Sequence, residues 1–383
     1  MKIVTVIGAR PQFIKSAPVS RAIQDHNIKK PNDQIAEVIV HTGQHYDNNM
    51  SAIFFEELNI PEPDINLGVG SGSHGWQTAQ MLVRIEEALI AHKPNWVMVY
   101  GDTNSTLAGA LAAVKLHIPV AHVESGLRSF NREMPEEHNR VLVDHCSDLL
   151  FCPTETAVEN LSKEGVTHGV QLVGDTMYDA VLQFTSVARE KSTIMDDLGL
   201  KPKGYLLATI HRPYNTDIPI NLQNILSAFL ELNDQIVFPI HPRTRQKLQD
   251  LSILKPTLSK EHQLNNSRAY KLKNIILVDP IGYLDMLILE KNAHMILTDS
   301  GGMQKEAYFM GVPCVTLRPE TEWIETVEAG WNVVAGSNRE KIIDAVNSFK
   351  PPDKRPNLYG DGRAGKRVLE IILLTKQAHE GIV

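Results

Sequence analysis

The stretch Thr298-Asp299-Ser300-Gly301-Gly302-Met303-Gln304-Lys305-Glu306 places two adjacent glycines where an apolar run gives way to a helix pattern. Glycines let a phosphate approach the backbone, and a helix N-terminus offers free N–H groups and the positive end of its dipole. The spacing predicts an anion site on Ser300, Gly301 and Gly302, with a simple N-cap and glycine turn as the plainer alternative. It is not a P-loop, because the G-x-x-x-x-G-K-[ST] spacing is absent. Glu306 falls one helical turn past Gly302, where an exposed carboxylate takes both hydroxyls of a ribose. That pattern points to a nucleoside diphosphate.

Three carboxylates stand in similar places in the first half: Asp102 in Y-G-D-T, Glu124 in H-V-E-S-G-L-R and Glu136 in M-P-E-E-H-N-R. Asp102 and Glu124 each end a strand pattern and are expected on one crevice, whereas Glu136 follows Pro135 at a helix start. Crowded carboxylates in a cleft raise one another's pKa, which suits a general acid or base near neutral pH. The plainer readings are an N-cap for Asp102, to a helix over 103–116, and a favourable first-turn charge for Glu136.

Basic and imidazole groups complete the set. Arg10 and Lys15 lie in Gly8-Ala9-Arg10-Pro11-Gln12-Phe13-Ile14-Lys15, a first strand-to-helix loop without G-x-G-x-x-G, so redox dinucleotide binding has no support. Arg10 is a candidate phosphate ligand, or else a solvated arginine. His211 in H-R-P and His241 in H-P-R, with Arg243 beside it, follow successive strand patterns of the second half. No H-x-E-x-x-H or comparable ligand set accompanies them, so they read as donors to an anionic ligand rather than as metal ligands.

Such residues need strands to present them. Short β-branched runs, each followed by a helix-length segment, are the mark of βα units around a parallel sheet. In the first half they fall at 3–7, 37–41, 96–100, 120–123, 149–151 and 171–173; in the second at 205–210, 236–240, 275–278, 294–297, 314–317 and 332–334. The expected fold is α/β, with two doubly wound Rossmann-like domains facing a cleft. Residues 1–175 form the first, completed by a C-terminal amphipathic helix within 363–383, and residues 176–362 form the second. Ligands of open parallel sheets bind outside the carboxyl ends of the strands, where all these candidates lie.

Composition narrows the class. At 383 residues the chain suits two large domains, and 43% hydrophobic with 22% charged residues excludes disordered and low-complexity classes. The formal charge of −7, without a run of like charge, argues against nucleic acid as a partner. No apolar window has the length of a membrane span, and the N-terminus carries no signal-peptide pattern, so a cytoplasmic protein is expected. Cys146, Cys152 and Cys314 lack C-x-x-C spacing and read as reduced thiols.

Taken in order, G-A-R-P-Q-F-I-K from Gly8, H-T-G-Q-H from His41, G-D-T-N-S-T-L from Gly101, H-V-E-S-G-L-R from His122, P-E-E-H-N-R from Pro135, H-P-R-T from His241 and T-D-S-G-G-M-Q-K-E-A from Thr298 span nearly the whole chain. In this order the sequence resembles the non-hydrolysing UDP-N-acetylglucosamine 2-epimerases, whose fold is that of the GT-B glycosyltransferases. The resemblance implies interconversion of UDP-GlcNAc and UDP-ManNAc by anti elimination of UDP to 2-acetamidoglucal and re-addition. It implies catalytic roles for Asp102, Glu124, Glu136 and His211, with Arg10 near the phosphates and UDP contacts from Ser300, Gly301, Gly302, Glu306 and Arg243. It also implies a homodimer that needs no added cofactor.

Two departures bear on the substrate. The family often reads H-R-x-E-N where this chain has His211-Arg212-Pro213-Tyr214-Asn215, a tyrosine in place of the glutamate. Members activated by a second substrate molecule use an arginine in the segment that here reads Gly68-Val69-Gly70-Ser71-Gly72-Ser73-His74-Gly75 and holds none. That segment resembles relatives acting on UDP-2,3-diacetamido-2,3-dideoxy-glucuronate. The alternatives are a GT-B glycosyltransferase, a hydrolysing 2-epimerase releasing free ManNAc, and a non-catalytic nucleotide-sugar sensor. Three retained acids argue against the sensor.

Overall fold

The computed structural model describes residues 1–43, 61–250 and 269–380, except the side chains of Arg10 and of 376–380. Runs such as Trp-Val-Met-Val-Tyr are apolar at every position, which suits a strand covered on both faces. That run forms β4 (Trp96–Tyr100), buried along its whole length. With β1 (Lys2–Ile7), β2 (Ala36–His41), β3 (Ile65–Asn66), β5 (Val120–Val123), β6 (Leu149–Cys152) and β7 (Val170–Leu172) it makes a parallel sheet ordered β3-β2-β1-β4-β5-β6-β7. A second sheet is ordered β10-β11-β9-β8-β12-β13-β14. Its strands are β8 (Leu206–Thr209), β9 (Ile236–Pro239), β10 (Ala269–Leu272), β11 (Ile275–Val278), β12 (Met295–Thr298), β13 (Cys314–Thr316) and β14 (Asn332–Val334). Only the β10–β11 pairing is antiparallel among the described strands.

Every strand expected from the sequence is present to within a residue at each end. The sequence did not reveal β3 or β10. β3 has two residues, and β10 alternates Ala-Tyr-Lys-Leu instead of running apolar, as an antiparallel edge strand does.

The chain divides into two compact units, Met1–Leu182 with Asn357–Val383, and Gln183–Pro356. The sequence reading set these divisions at 175/176 and 362/363. The difference arises because the helix Thr176–Lys191 runs through the first division without a glycine or proline to mark it. Its start belongs to the first unit, where Asp179 Oδ2 accepts from Gly365 N at 2.8 Å. Farther along, Phe184 meets Tyr283 edge-on within the second unit, with centroids 6.1 Å apart. The C-terminal helix Ala364–Glu380 lies on the helix Arg10–Lys29 of unit 1. A glycine permits the close crossing: a Cβ on Gly365 would stand 2.8 Å from the carbonyl of Pro18.

Each sheet winds outward in two directions from a central pair of strands, β1/β4 in unit 1 and β8/β12 in unit 2. Such a switch point leaves a crevice at the strands' carboxyl ends. Gly8 and Gly101 begin the loops there in unit 1; Ile210–His211 and Asp299–Ser300 do so in unit 2.

Candidate functional site

In unit 1 three strand-end loops are locked to one another. Gly8 leaves no room for a side chain, because a Cβ there would lie 2.0 Å from Thr42 Oγ1 and 2.2 Å from Ser105 Oγ. Gln12, 1% exposed, accepts from the N–H groups of Gly8 and Ala9 at 2.8 and 2.9 Å. Its amide donates to Tyr100 O and Thr106 Oγ1 at 2.8 and 3.0 Å, tying the β1 loop to the end of β4. Beyond β4, Gly101 has φ +64°, and a Cβ there would be 3.2 Å from Glu124 Oε2 and 3.3 Å from Lys15 Nζ. Lys15 and Glu124 form an ion pair at this point.

Glu124 adopts φ +70°, a left-handed conformation that costs a residue with a side chain about 1 to 3 kcal/mol. The surroundings hold it there: the N–H groups of Glu124 and Ser125 both donate to Phe151 O, at 3.1 and 3.2 Å. Strain of this kind concentrates at functional positions, since it aims a side chain where relaxed backbone does not.

Asp102 is not an N-cap. Thr103 caps the helix Asn104–Lys115, its hydroxyl accepting from Thr106 N, and the Asp102 carboxylate turns to Arg140. Oδ2 accepts from Arg140 Nε at 3.0 Å and Nη2 at 2.6 Å, while Asn139 Nδ2 donates to Asp102 O at 2.9 Å. Both partners come from the helix Pro135–Cys146, whose first turn carries Glu136. Glu136 is half-buried, and its carboxylate makes no hydrogen bond to another described residue. Next to it, Glu137 accepts from the N–H groups of Ser129 and Phe130, from Ser129 Oγ and from Arg140. Burial alone pushes Glu137 up; these donors outweigh it and hold the carboxyl below its usual range.

In unit 2 the site is built from backbone donors around a buried carboxylate. Asp299, fully buried, accepts from the N–H groups of His211 and Arg212 and from Asn215 Nδ2 at 3.0 to 3.1 Å. This couples the loops after β8 and β12. His211 Nδ1 lies 3.5 Å from Asp299 Oδ1. Burial lowers the His211 pKa below its ordinary value; Asp299 opposes this, and the charges of Arg212, His241 and Arg318 reinforce it. The ring of His241 stands 5.9 Å from that of His211. Ser300 caps the helix Gly301–Met310, its hydroxyl accepting from Met303 N at 3.4 Å. A Cβ on Gly302 would meet only Ser300 Oγ, at 3.9 Å, whereas one on Gly301 would stand 2.1 Å from Glu322 Oε1.

The structure thus brings Asp102, Glu124, Lys15 and the helix of Glu136 to one edge of unit 1. In unit 2 it joins His211 to the loop of Ser300, Gly301 and Gly302. Glu306 differs from expectation: it is 6% exposed, because the phenol of Tyr283 covers it, donating to Oε1 at 2.9 Å. Arg243 is exposed and paired with Asp217. The side chain of Arg10, and residues 44–47 of the loop after β2, lie outside the described residues. Among those described, no group of three or more His, Cys, Asp or Glu is placed to hold a metal, and no helix is long and apolar enough to cross a membrane. Cys146, Cys152 and Cys314 are free thiols. Sequence reasoning gave no role to Gln12, Arg140, Asp144, His122 or Asp299. Arg140 had a legible signal, since it follows Glu136 by one helical turn.

Comparison with known proteins bears on this site. The family model for UDP-N-acetylglucosamine 2-epimerase matches residues 27–373. A UDP-N-acetylglucosamine 2-epimerase homolog of Methanococcus maripaludis is 52% identical over 97% of this chain and 99% of its own. The UDP-2,3-diacetamido-2,3-dideoxy-D-glucuronate 2-epimerase of Pseudomonas aeruginosa is 46% identical over 97% of this chain and 99% of its own. The crystal structure of Methanocaldococcus jannaschii UDP-GlcNAc 2-epimerase in complex with UDP-GlcNAc and UDP superposes with a TM-score of 0.86, at 44% identity over 98% of this chain and 100% of that one. A lipopolysaccharide outer core galactosyltransferase shares the fold alone, at 12% identity and a TM-score of 0.51.

Proposed function

This chain belongs to the UDP-N-acetylglucosamine 2-epimerase family and is an isomerase, and on that premise we propose that it interconverts UDP-GlcNAc and UDP-ManNAc through a 2-acetamidoglucal intermediate. Unit 2 binds UDP; unit 1 supplies the acids. The observation that carries the reading is the fixing of Asp102 and Glu124 at adjacent strand ends, with Asp102 tied through Arg140 and Asn139 to the helix that bears Glu136.

No carbonyl lies beside C2 to stabilise a carbanion, so C2–H cleavage follows departure of the phosphate. As the C1–O bond breaks, its electron pair leaves with UDP; a carboxylate takes the C2 proton, and the C2–H pair becomes the C1=C2 double bond. N–H donors of Gly301 and Gly302 and the hydroxyl of Ser300, with Arg10, stabilise the leaving phosphate, each well-placed donor contributing about 3 to 4 kcal/mol. The carboxylate base contributes on the order of 10² to 10⁴ in rate. A second acid then protonates C2 from the opposite face, and UDP oxygen re-attacks C1. Asp102, Glu124 and Glu136 are the groups for these transfers. His211 donates to the sugar nucleotide, and His241, Arg243 and Glu306 contribute to holding UDP.

A second substrate is favoured by one feature: the segment 68–75 lacks the arginine of the activated members and resembles the branch acting on UDP-2,3-diacetamido-2,3-dideoxy-glucuronate. Incubation with each UDP-sugar in turn, followed by sugar-nucleotide chromatography, decides. The 2-epimer of UDP-GlcNAc supports the first substrate, and an epimer only of the diacetamido sugar supports the second. Free sugar would mean a hydrolase, and no change with either would overturn the reading.

The resemblance also implies a homodimer. Unit 1 exposes Trp76, Val83 and Ile90 one heptad apart along the helix His74–His92, an apolar stripe suited to a second copy. Light scattering of the purified protein should give the dimer mass; a monomer at micromolar concentration would contradict it.

A further inference from the structure

His122 lies beneath the acids and is 1% exposed. Its Nδ1 is 2.7 Å from Asp144 Oδ1 and its Nε2 is 2.8 Å from Gly101 O. A carboxylate and a carbonyl accept only, so both ring nitrogens must donate and the ring carries two N–H groups. A ring with one proton would turn a lone pair toward one of these oxygens.

The surroundings balance the charge this requires. Asp144 also accepts from Gly126 N at 3.1 Å and from Arg128 Nη1 at 2.7 Å. Burial would raise the Asp144 carboxyl, but His122 and Arg128 together hold it below the usual range. Arg128 in turn meets Glu164 through Nε at 2.7 Å and Nη2 at 2.8 Å. Buried charges persist when each is paired and hydrogen-bonded, as Asp144 and Arg128 are here, with Glu164 at the exposed end of the series.

What the series grips is the pair of loops that carry two acids. Gly101 immediately precedes Asp102, and its carbonyl is held by His122. Gly126, at φ +80°, follows Glu124 by two residues, and its N–H is held by Asp144. One carboxylate therefore reaches the β4 loop through His122 and the β5 loop directly. The helix that provides it also provides Asn139 and Arg140 to Asp102.

We propose that His122, doubly protonated and paired with Asp144, is a positioning residue that sets the Gly101–Asp102 turn for proton transfer. The proposal rests on the reading of Asp102 as a catalytic acid, so its test has one arm that ignores activity. In the full-length protein labelled with ¹⁵N-histidine, His122 should show protons on both ring nitrogens, one bonded to Asp144 Oδ1 and one to Gly101 O. The signal is assigned by its loss in His122→Gln, with His122→Asn as a second assignment variant, and Asp144→Asn should remove one of the two protons. A single ring proton in the wild-type protein would overturn the proposal.

In the kinetic arm, folded His122→Gln should lose about 10²-fold in kcat, the scale of a misplaced catalytic group, while UDP affinity stays within about twofold. Unchanged kcat in a folded His122→Gln would also overturn it. Full turnover in Asp102→Asn, with both ring protons of His122 present, would remove the catalytic reading but leave the ion pair. A singly protonated ring beside an inactive Asp102→Asn would do the reverse.

Discussion

Units 1 and 2 share a topology and treat charge in opposite ways. In unit 1 the loops at the switch point are held by side-chain ion pairs, Lys15 with Glu124, Arg140 with Asp102 and Glu137, and Arg128 with Asp144, which also hydrogen-bonds His122. In unit 2 the corresponding loops converge on one carboxylate, Asp299, through two backbone N–H groups and an amide. The difference matches the proposed division of labour. Proton transfer requires carboxylates held in defined positions, and ion pairs with Arg140 and Lys15 hold Asp102 and Glu124 in theirs. Binding a diphosphate requires N–H donors on rigid backbone at a helix N-terminus, which Gly301 and Gly302 present.

The sharpest break of this comparison is to remove charge from one unit and read both. Asp102→Asn and Glu136→Gln should each lower turnover by at least about 10², while UDP binding, assigned to unit 2, changes by less than about twofold. Calorimetry with UDP alongside turnover measures both. A parallel loss of UDP affinity would undo the division.

Smaller effects follow from steric fit. Gly8→Ala drives a methyl into Thr42 and Ser105 and should destabilise the protein by about 1 to 3 kcal/mol, whereas Gly302→Ala meets only Ser300 Oγ at 3.9 Å and should leave the melting temperature nearly unchanged. Equal melting temperatures for the two variants would show that the β1 loop is less closely packed than described.

The smallest effect concerns a carboxyl that unit 2 buries without help. Glu290 is fully buried, and neither oxygen has a hydrogen-bond partner among the described residues. Burial first, and Glu306 second, push its pKa well above the ordinary value. The unfolded chain therefore ionises at Glu290 while the folded one stays neutral, so stability falls as pH rises above the ordinary carboxylate range. Glu290→Met should raise the melting temperature by about 2 to 4 °C at pH 8, with a smaller gain at pH 5. A gain that is the same at both pH values would show that Glu290 is not neutral in the fold.

The same contrast explains what the sequence disclosed. Parallel strands buried on both faces announce themselves as apolar runs, and the residues that follow them are the ones a crevice needs; Asp102, Glu124, His211 and Ser300 were legible for that reason. Their supports were not. Asp299 reaches His211 across 88 positions and Arg140 reaches Asp102 across 38, distances at which no local pattern links partners. His122 looked like any strand residue until the acceptors at both its nitrogens were known. The division at Leu182 was hidden for a related reason, because it falls inside a continuous helix.

The central claim is that the C2 hydrogen leaves as a proton to a carboxylate and a different proton returns. Epimerisation run in D₂O, with product read by NMR or mass spectrometry, tests it directly. The account predicts one deuterium at C2 of the product sugar. Product that keeps its original C2 hydrogen would contradict it, because a base on one face of C2 and a separate acid on the other leave no route for that hydrogen to be conserved.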